Sequence, residues 1–262
     1  MGRVEGKVAI VTGGASGLGA ADARALAAEG AAVVVTDIDA EKGRALAEEI
    51  DGEFFEHDVS DEARWAQLVA QTVERYGRLD VLVNNAGIAV IADIESTTTE
   101  MWRRVLAVHL DGTFFGCQNA VPAMTASGGG SLINMSSTAA LVGLAPYLAY
   151  SAAKGGIRSM TKSIAAHCRT RRNGIRCNSV HPGSIDTPMV HAALGGLGGP
   201  QPEGERFSEE LRLKIGLGEP QDVANLVLFL ASDESKHISG AEMVIDNGDT
   251  VMQLSGPGGQ NR

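Results

Sequence analysis

Short apolar runs rich in Val and Ile alternate along the chain with longer stretches in which apolar residues recur at helical spacing. The short runs predict buried strands and the longer stretches predict helices. The predicted strands are Val8–Thr12, Ala32–Thr36, Gly52–Phe55, Val81–Asn84, Ser131–Met135, Arg176–Val180 and Glu242–Ile245. The predicted helices are Gly17–Glu29, Ala40–Glu49, Glu62–Tyr76, Glu100–Met124, Ser151–Arg171 and Gln221–Ala231. This alternation indicates an α/β fold, a doubly wound parallel sheet of about seven strands with helices on both faces.

The chain has 262 residues, of which 44% are hydrophobic and 21% charged, so it can bury a large core. No sequence repeat or shift in composition divides it, and we expect residues 1–262 to form a single domain. The stretch 188–218 contains a glycine-rich segment, Gly195–Pro200, that we expect to be flexible. Stretches of this kind are often lids over ligand sites, although plain disorder would also explain the composition. The tail, residues 255–262, is expected to be flexible too.

A net charge of −10 argues against nucleic acid or an anionic membrane as the main partner. No apolar run reaches the length of a transmembrane helix, and the first residues do not resemble a signal peptide. The cysteines and histidines show no metal-ligand spacing, which holds for Cys117, Cys168, Cys177, His57 and His181. We therefore expect a cytoplasmic protein with reduced thiols and no metal site.

A glycine-rich turn follows the first predicted strand and opens the first predicted helix, in the segment Thr12–Gly19. Glycines at such a turn let the backbone approach a pyrophosphate, whose charge is favourable at the helix N-terminus. Asp37 closes the second predicted strand, where a carboxylate can accept hydrogen bonds from both ribose hydroxyls and repels a 2′-phosphate. Since no Lys or Arg occurs at positions 13–19 or 36–39, NAD is favoured over NADP. Asp37 could alternatively only cap a turn.

Tyr150 and Lys154 lie four residues apart in a predicted helix, so both side chains are on one face. We expect the Lys154 ammonium to lower the pKa of the Tyr150 phenol and so to produce an acid/base group that works closer to neutral pH. Ser137 precedes them by thirteen positions. Alone, the Tyr–Lys pattern would fit an exposed helical pair, and Ser137 would fit the end of a strand.

Taken together, these motifs resemble those of the classical short-chain dehydrogenase/reductase family, which has a Rossmann-like fold. The resemblance runs from about Gly6 to Val251. Its motifs are Thr12–Gly19, Asp58-Val59, Asn84-Asn85-Ala86-Gly87, the Ser137, Tyr150 and Lys154 trio, and Pro182–Thr187. It implies cofactor contacts from Gly13, Ser16, Gly17, Leu18, Gly19, Asp37, Ile38, Asp58, Val59, Asn85, Ala86, Gly87, Tyr150, Lys154, Pro182, Gly183, Ile185 and Thr187.

The resemblance also implies a role for each member of the trio. Tyr150 exchanges the proton of the reacting oxygen, Lys154 binds the nicotinamide ribose, and Ser137 hydrogen-bonds the substrate oxygen. Ile185 and Thr187 would fix the carboxamide. The sequence departs from the family at His109, where members usually carry asparagine and use its main-chain carbonyl in a water relay to the lysine. His109 could preserve that carbonyl and could titrate near pH 6.5 as a catalytic group, or it could be structural.

The expected reaction is hydride transfer between NAD(H) and a secondary alcohol or ketone of apolar cyclic, steroid-like or aliphatic type. Substrate contacts are expected from Ser137, Leu144, Tyr147, Tyr150 and Met189. The alternatives are a β-ketoacyl thioester reductase that uses NADPH and a non-catalytic NAD-binding sensor. The resemblance further implies a homo-oligomer, either a tetramer or a dimer.

Overall fold

The computed structural model describes residues 2–252 except Glu203 and Glu205. It contains one parallel sheet with the strand order β3-β2-β1-β4-β5-β6-β7. The strands are β1 (Val8–Thr12), β2 (Ala32–Asp37), β3 (Glu53–Glu56), β4 (Val81–Asn84), β5 (Gly130–Met135), β6 (Ile175–Pro182) and β7 (Glu242–Ile245). The predicted fold class is confirmed. The strand order reverses between β1 and β4, which opens a crevice at their carboxyl ends. The predicted flexible tail, residues 255–262, lies outside the described residues.

Helices cover both faces of the sheet. They are α1 (Gly17–Ala28), α2 (Ala40–Glu49), α3 (Glu62–Tyr76), α4 (Thr99–Leu106), α5 (Gly112–Ala126), α6 (Leu148–Arg171), α7 (Pro188–Gly196), α8 (Glu209–Lys214) and α9 (Pro220–Ala231). The single helix predicted for Glu100–Met124 is interrupted by a π-helical turn, Ala107–Asp111, which separates α4 from α5. Helix α6 begins at Leu148, so that Tyr150 and Lys154 occupy its first two turns.

The segment 188–218, predicted as a lid, contains the helices α7 and α8. Gly195 and Gly196, the first residues of the stretch predicted to be flexible, form the last turn of α7. Helix α7 begins where it does because Pro188 occupies its first turn and the Thr187 hydroxyl accepts a hydrogen bond from the Val190 amide. Proline is pre-organised for a first turn, and a threonine N-cap satisfies an amide that lacks a helical partner.

Alternating strand residues pack against helices on opposite faces of the sheet. In β1, Ala9 and Val11 belong to a core cluster shared with α1 and α9, whereas Ile10 belongs to the cluster formed with α3 and α5. Full burial of a side chain such as Ile10 stabilises the fold by roughly 1.5–3 kcal/mol. Both faces are therefore covered, which leaves the strand ends to carry the chemistry. None of the helices in residues 2–252 is long and apolar enough to cross a bilayer.

A chain of buried amides connects the centre of the sheet to α6. Asn84 on β4 donates to Asn134 on β5 at 2.9 Å, and Asn134 donates to the Thr161 hydroxyl of α6 at 2.9 Å. Buried polar groups that are satisfied in this way fix one arrangement of the elements. The amides therefore hold α6, and with it Tyr150 and Lys154, against the strand ends.

Helix α1 buries a carboxyl group among apolar neighbours. Asp22 is fully buried, and within the described residues neither of its oxygens has a hydrogen-bond partner. Burial raises the pKa of Asp22 well above its usual value, because the charged form loses its hydration. The folded protein therefore favours protonated Asp22.

Candidate active site

A cleft of about 450 Å³ lies at the carboxyl ends of the strands, where the order of the sheet reverses. Most of the predicted site residues line it. They are Gly13, Ser16, Gly17, Leu18, Asp37, Ile38, Asp58, Val59, Asn85, Ala86, Gly87, His109, Ser137, Tyr150, Lys154, Pro182, Gly183, Ile185, Thr187 and Met189. The fold thus brings motifs from six strand ends into one cavity.

Three predicted site residues do not line the cleft. Gly19 is buried behind it, where an added Cβ would lie 2.3 Å from the Gly13 carbonyl oxygen, so this glycine lets α1 pack against the loop. Leu144 and Tyr147, predicted at the substrate wall, lie outside the lining of the cleft, although the Tyr147 ring is 6.2 Å from the Tyr150 ring between centroids. Their segment instead pairs with the loop after β4 through the Ala92 amide and the Pro146 carbonyl, at 2.9 Å, and leaves Leu144 40% exposed.

The glycine-rich loop is held by the segment that follows β4. The Thr12 hydroxyl accepts hydrogen bonds from the amides of Asn85 and Ala86, at 3.0 and 3.1 Å. The Asn85 side chain donates to the Thr12 carbonyl at 2.9 Å. The first turn of α1 contains no acidic residue. Because free amides and the helix dipole both favour an anion there, these residues fit a dinucleotide pyrophosphate.

Asp37 is oriented by two main-chain amides at the end of β2. Its Oδ2 accepts from Ala15 and its Oδ1 accepts from Asp39, each at 3.0 Å. The adjacent Ile38 is 72% exposed and offers no charge. A carboxylate oxygen has more than one acceptor position, so the group can still bind the two hydroxyls of a ribose. The pocket edge therefore fits an adenosine ribose.

The end of β3 supplies a histidine that sequence analysis assigned no role. His57 lines the cleft and packs edge-to-face on Trp65, at 4.7 Å between ring centroids. Burial is the main cause that lowers its pKa to about 4. Next to it, the Asp58 carboxylate accepts from the amide and hydroxyl of Ser60. In the part of the chain that the structure describes, no cluster of three potential ligands could hold a metal ion.

Of the three consecutive residues at the end of β5, two bind Lys154 of α6 and the third binds the turn that follows the strand. The Met135 carbonyl accepts from Lys154 Nζ at 2.6 Å, and the Ser136 hydroxyl donates to the Lys154 carbonyl at 2.9 Å. The Ser137 hydroxyl oxygen accepts from the Ala139 amide at 3.1 Å, so its proton remains available for donation. Ser137, Tyr150 and Lys154 are therefore assembled at one point of the cleft.

The expected lowering of the Tyr150 pKa is wrong for this structure. Burial raises the pKa of Tyr150 above its ordinary value, and a hydrogen bond with Ser137 opposes that rise only in part. Burial also lowers the pKa of Lys154 to about 7. The lysine nitrogen lies 5.4 Å from the centroid of the Tyr150 ring. Desolvation of both groups thus outweighs the attraction that the spacing suggested.

The structure also contradicts the expectation that His109 titrates near pH 6.5. Burial, with a smaller contribution from the nearby Lys154 charge, lowers the pKa of His109 to about 3. Its Nε2 atom lies 2.8 Å from the Ile88 carbonyl oxygen and 3.0 Å from the Ile88 amide nitrogen. The ring lies edge-to-face on Tyr150, at 5.2 Å between centroids. At physiological pH it is a neutral group that braces the loop after β4.

The substrate end of the cleft is apolar and is closed by α7. Ile88, Pro188 and Val190 line it together with Met189. Behind them, Asp186 Oδ1 and His191 Nε2 are 2.5 Å apart, and both residues are buried. The His191 carbonyl accepts from the Gln201 side chain at 3.0 Å. Sequence analysis missed this pair because an Asp and a His five residues apart give no recognisable signal.

A parallel α/β sheet with a glycine-rich loop at its reversal point, and with Ser, Tyr and Lys at the adjoining strand ends, defines a nucleotide-binding class of oxidoreductase folds. Comparison with known proteins identifies the family. Residues 13–250 match the family described as Enoyl-(Acyl carrier protein) reductase. The chain belongs to the short-chain dehydrogenase/reductase family and is an oxidoreductase of that family.

Several characterised relatives align over almost the whole chain. A "NADP-dependent (R)-specific alcohol dehydrogenase" of Lentilactobacillus kefiri is 45% identical over 95% of this chain and 98% of its own. A "Trans-4-hydroxycyclohexanecarboxylate dehydrogenase" of Sinomonas cyclohexanicum is 45% identical over 95% of both chains. A "3-beta-hydroxysteroid dehydrogenase" of Comamonas testosteroni is 42% identical over 96% of this chain and 99% of its own.

Proposed function

We propose that this protein transfers a hydride between NAD(H) and a secondary alcohol or ketone. The observation that carries the proposal is the assembly of Ser137, Tyr150 and Lys154 at an apolar end of a cleft whose other end fits a dinucleotide. A bound nicotinamide would accept or deliver the hydride. The relatives that align along the full chain are named for the dehydrogenation of alcohols.

Each member of the trio has a role that its surroundings support. The Tyr150 phenol exchanges a proton with the reacting oxygen, and the Ser137 hydroxyl donates a hydrogen bond to that oxygen as charge develops. The Ser137 proton is available because the Ala139 amide already occupies an acceptor position of its oxygen. Lys154 is held between the Met135 carbonyl and the cleft, and would hold the nicotinamide ribose.

We infer that NAD is the preferred cofactor. The Asp37 carboxylate lines the cleft at the end of β2, where it would face the adenosine ribose and repel a 2′-phosphate. The Lentilactobacillus relative is named as NADP-dependent, so this choice rests on residue 37 of this chain and not on the relatives. No Lys or Arg is present at positions 13–19 or 36–39 to bind such a phosphate.

The substrate that the cleft favours is an uncharged alicyclic, steroid-like or aliphatic alcohol. The substrate wall contains Ile88, Met189 and Val190, which offer no partner for a phosphate or carboxylate, although Arg104 of α4 lines the same cleft. A β-ketoacyl thioester reductase would be expected to use NADPH and a basic docking surface, and Asp37 and the net charge of −10 disfavour it. A non-catalytic sensor would not need Tyr150 and Lys154, which are both in place.

We further propose a cytoplasmic homo-oligomer, either a dimer or a tetramer. Val244 on the edge strand β7 and Phe114 on α5 are both 44% exposed. Exposed apolar residues on a strand edge and on a helix face favour association with a second copy.

The proposal is tested by following NADH absorbance with a panel of secondary alcohols and with NAD and NADP in parallel. We expect oxidation of cyclic and aliphatic secondary alcohols with NAD, and an oxidation rate that rises from neutral to alkaline pH. The rise is expected because the raised pKa of Tyr150 delays formation of the phenolate that accepts the proton. Absence of turnover with every alcohol and ketone would refute the enzymatic assignment, and a preference for NADP would refute the role of Asp37.

A further inference from the structure

A buried histidine on β6 touches the main chain of the candidate catalytic serine. His181 is 0% exposed and precedes Pro182-Gly183, which line the cleft. Its Nδ1 atom lies 3.1 Å from the Ser137 carbonyl oxygen, and its Nε2 atom lies 2.8 Å from the Ser179 hydroxyl oxygen. The ring therefore spans from its own strand to the point where the chain leaves β5.

The partners of the ring determine which nitrogen carries the proton. A carbonyl oxygen can only accept, so the contact with Ser137 is a hydrogen bond only if Nδ1 carries hydrogen. Burial lowers the pKa of His181, which favours the neutral ring and leaves Nε2 as an acceptor. The Ser179 hydroxyl can satisfy Nε2, because the other acceptor near that hydroxyl, the Ala241 carbonyl, is farther away at 3.4 Å.

This contact extends the pairing of β5 with β6 by one residue. Regular pairing ends at Met135 and Val180, and the Ser136 amide still donates to the Val180 carbonyl at 2.7 Å. Ser137 is the next residue, and no strand partner remains for it. Its carbonyl accepts instead from the Ala140 amide at 3.0 Å and from the His181 side chain.

We infer that His181 is a positioning residue for Ser137: its Nδ1–H bond to the Ser137 carbonyl sets where the serine hydroxyl meets the substrate oxygen. The inference rests on the proposed function, since it assigns His181 a part in the same reaction. His181 does not touch the reacting atoms. It acts through the backbone of Ser137, whose hydroxyl oxygen accepts a hydrogen bond from the Ala139 amide.

Two substitutions separate positioning from simple core packing. In His181→Asn the side-chain amide stands close to the place of Nδ1 and can still donate to the Ser137 carbonyl. In His181→Gln the amide reaches toward the place of Nε2, so it can contact Ser179 but not Ser137. We expect His181→Gln to lower kcat about 10- to 100-fold, because a displacement of about 1 Å in a reacting group can cost this much. His181→Asn should retain a kcat at least about fivefold above that of His181→Gln, and the KM for NAD should change less than about twofold in both.

His237→Gln is the matched control, since His237 is exposed and distant in sequence from the cleft residues. Its activity should equal that of the wild type, and melting temperatures of all variants show whether each one folds. A His181→Gln variant that folds and is at least as active as His181→Asn would overturn the inference.

A measurement on the wild-type protein does not depend on the proposed reaction. Long-range 1H–15N correlation spectra of histidine-labelled protein report the tautomer of each ring, and His181→Asn identifies the signal of His181. We expect the Nδ1–H form at neutral pH. The Nε2–H form would overturn the inference, because the Ser137 carbonyl would then have no donor on the ring. If the wild type oxidises no alcohol, the proposed function fails, and the tautomer still decides whether His181 holds Ser137.

Discussion

The two ends of the cleft are built in different ways. At the cofactor end, main-chain amides and short side chains make the contacts, as when Thr12 binds the Asn85 amide and Asp37 binds the Ala15 amide. At the substrate end, a contact between two side chains holds the segment that forms the wall, as in the Asp186–His191 pair. Main-chain contacts at strand ends tolerate many sequences, whereas a wall held by a few side chains changes with each of them. The cofactor end is therefore fixed by the fold, and the substrate end is where this chain sets its own specificity.

The largest effect should come from Tyr150→Phe, where the two ends meet. The substitution removes the oxygen that we propose transfers the proton and keeps the ring, so kcat should fall about 100- to 10,000-fold. NAD should still bind, with a Kd within about threefold of wild type by calorimetry, because the cofactor end keeps its contacts. Turnover that survives in Tyr150→Phe would show that another group transfers the proton.

Asp37→Ala should alter the cofactor end alone. Loss of hydrogen bonds to a charged group costs roughly 1.5–3 kcal/mol, so kcat/KM for NAD should fall about 10- to 100-fold. The kcat/KM for NADP should rise, because the carboxylate no longer repels the 2′-phosphate. The KM for the alcohol should stay constant, and Asp37→Asn serves as the isosteric control. An unchanged ratio of NAD to NADP use would contradict the role of the carboxylate.

Asp186→Asn and His191→Gln should alter the substrate end alone. Each leaves a buried polar partner unsatisfied, which destabilises the fold by about 1–3 kcal/mol and loosens α7. We expect the KM for the alcohol to rise about three- to tenfold, with little change in the Kd for NAD. Urea unfolding of both single variants and of the double variant measures the interaction free energy between the Asp186 and His191 side chains. Strictly additive effects on the free energy of unfolding would mean that the pair does not act as a unit.

The smallest effect on catalysis should come from His109→Gln, which can keep an amide at the position of Nε2 near Ile88. Because the pKa of His109 is about 3, the ring does not titrate in the working range and the activity–pH profile should keep its shape. His109→Asn, the residue usual in the family, is the shorter comparison variant.

His109 also contributes to acid sensitivity of the fold. The unfolded ring takes up a proton near pH 6.5, whereas the folded ring does so only near pH 3, so the free energy of unfolding falls as pH drops between these values. The limiting slope is about 1.4 kcal/mol per pH unit. In His109→Gln the free energy of unfolding should therefore fall less steeply between these values, as measured by urea unfolding. An equal slope in both proteins would place the pKa of His109 nearer its ordinary value.

Strands and the glycine-rich loop were predictable because they depend on local pattern. Val8–Thr12 is apolar throughout and is bounded by a turn, and it forms β1 with the predicted limits. Likewise, the helical spacing of Tyr150 and Lys154 placed both on one face of α6. In each case the sequence neighbours are also the spatial neighbours.

The pKa values and the substrate wall were not predictable because they depend on distant residues. The pKa of Tyr150 follows from its desolvation in the folded protein, and the spacing to Lys154 contains no information about that desolvation. Leu144 is apolar but faces outward, since its segment pairs with Ala92. His181 contacts a residue forty-four positions away, a relation that no local pattern contains.

The Asp22 carboxyl in α1, which has no hydrogen-bond partner among the described residues, offers a way to raise the stability of this protein. An apolar residue of similar size there would remove a buried group that lacks partners, and such a group costs about 1–3 kcal/mol. Libraries that reshape the wall around Met189 and Val190 will contain many members that fold poorly. In an Asp22→Leu background, the added stability should allow more of these variants to fold. A substitution remote from the cleft would then increase the number of substrates for which an active variant can be selected.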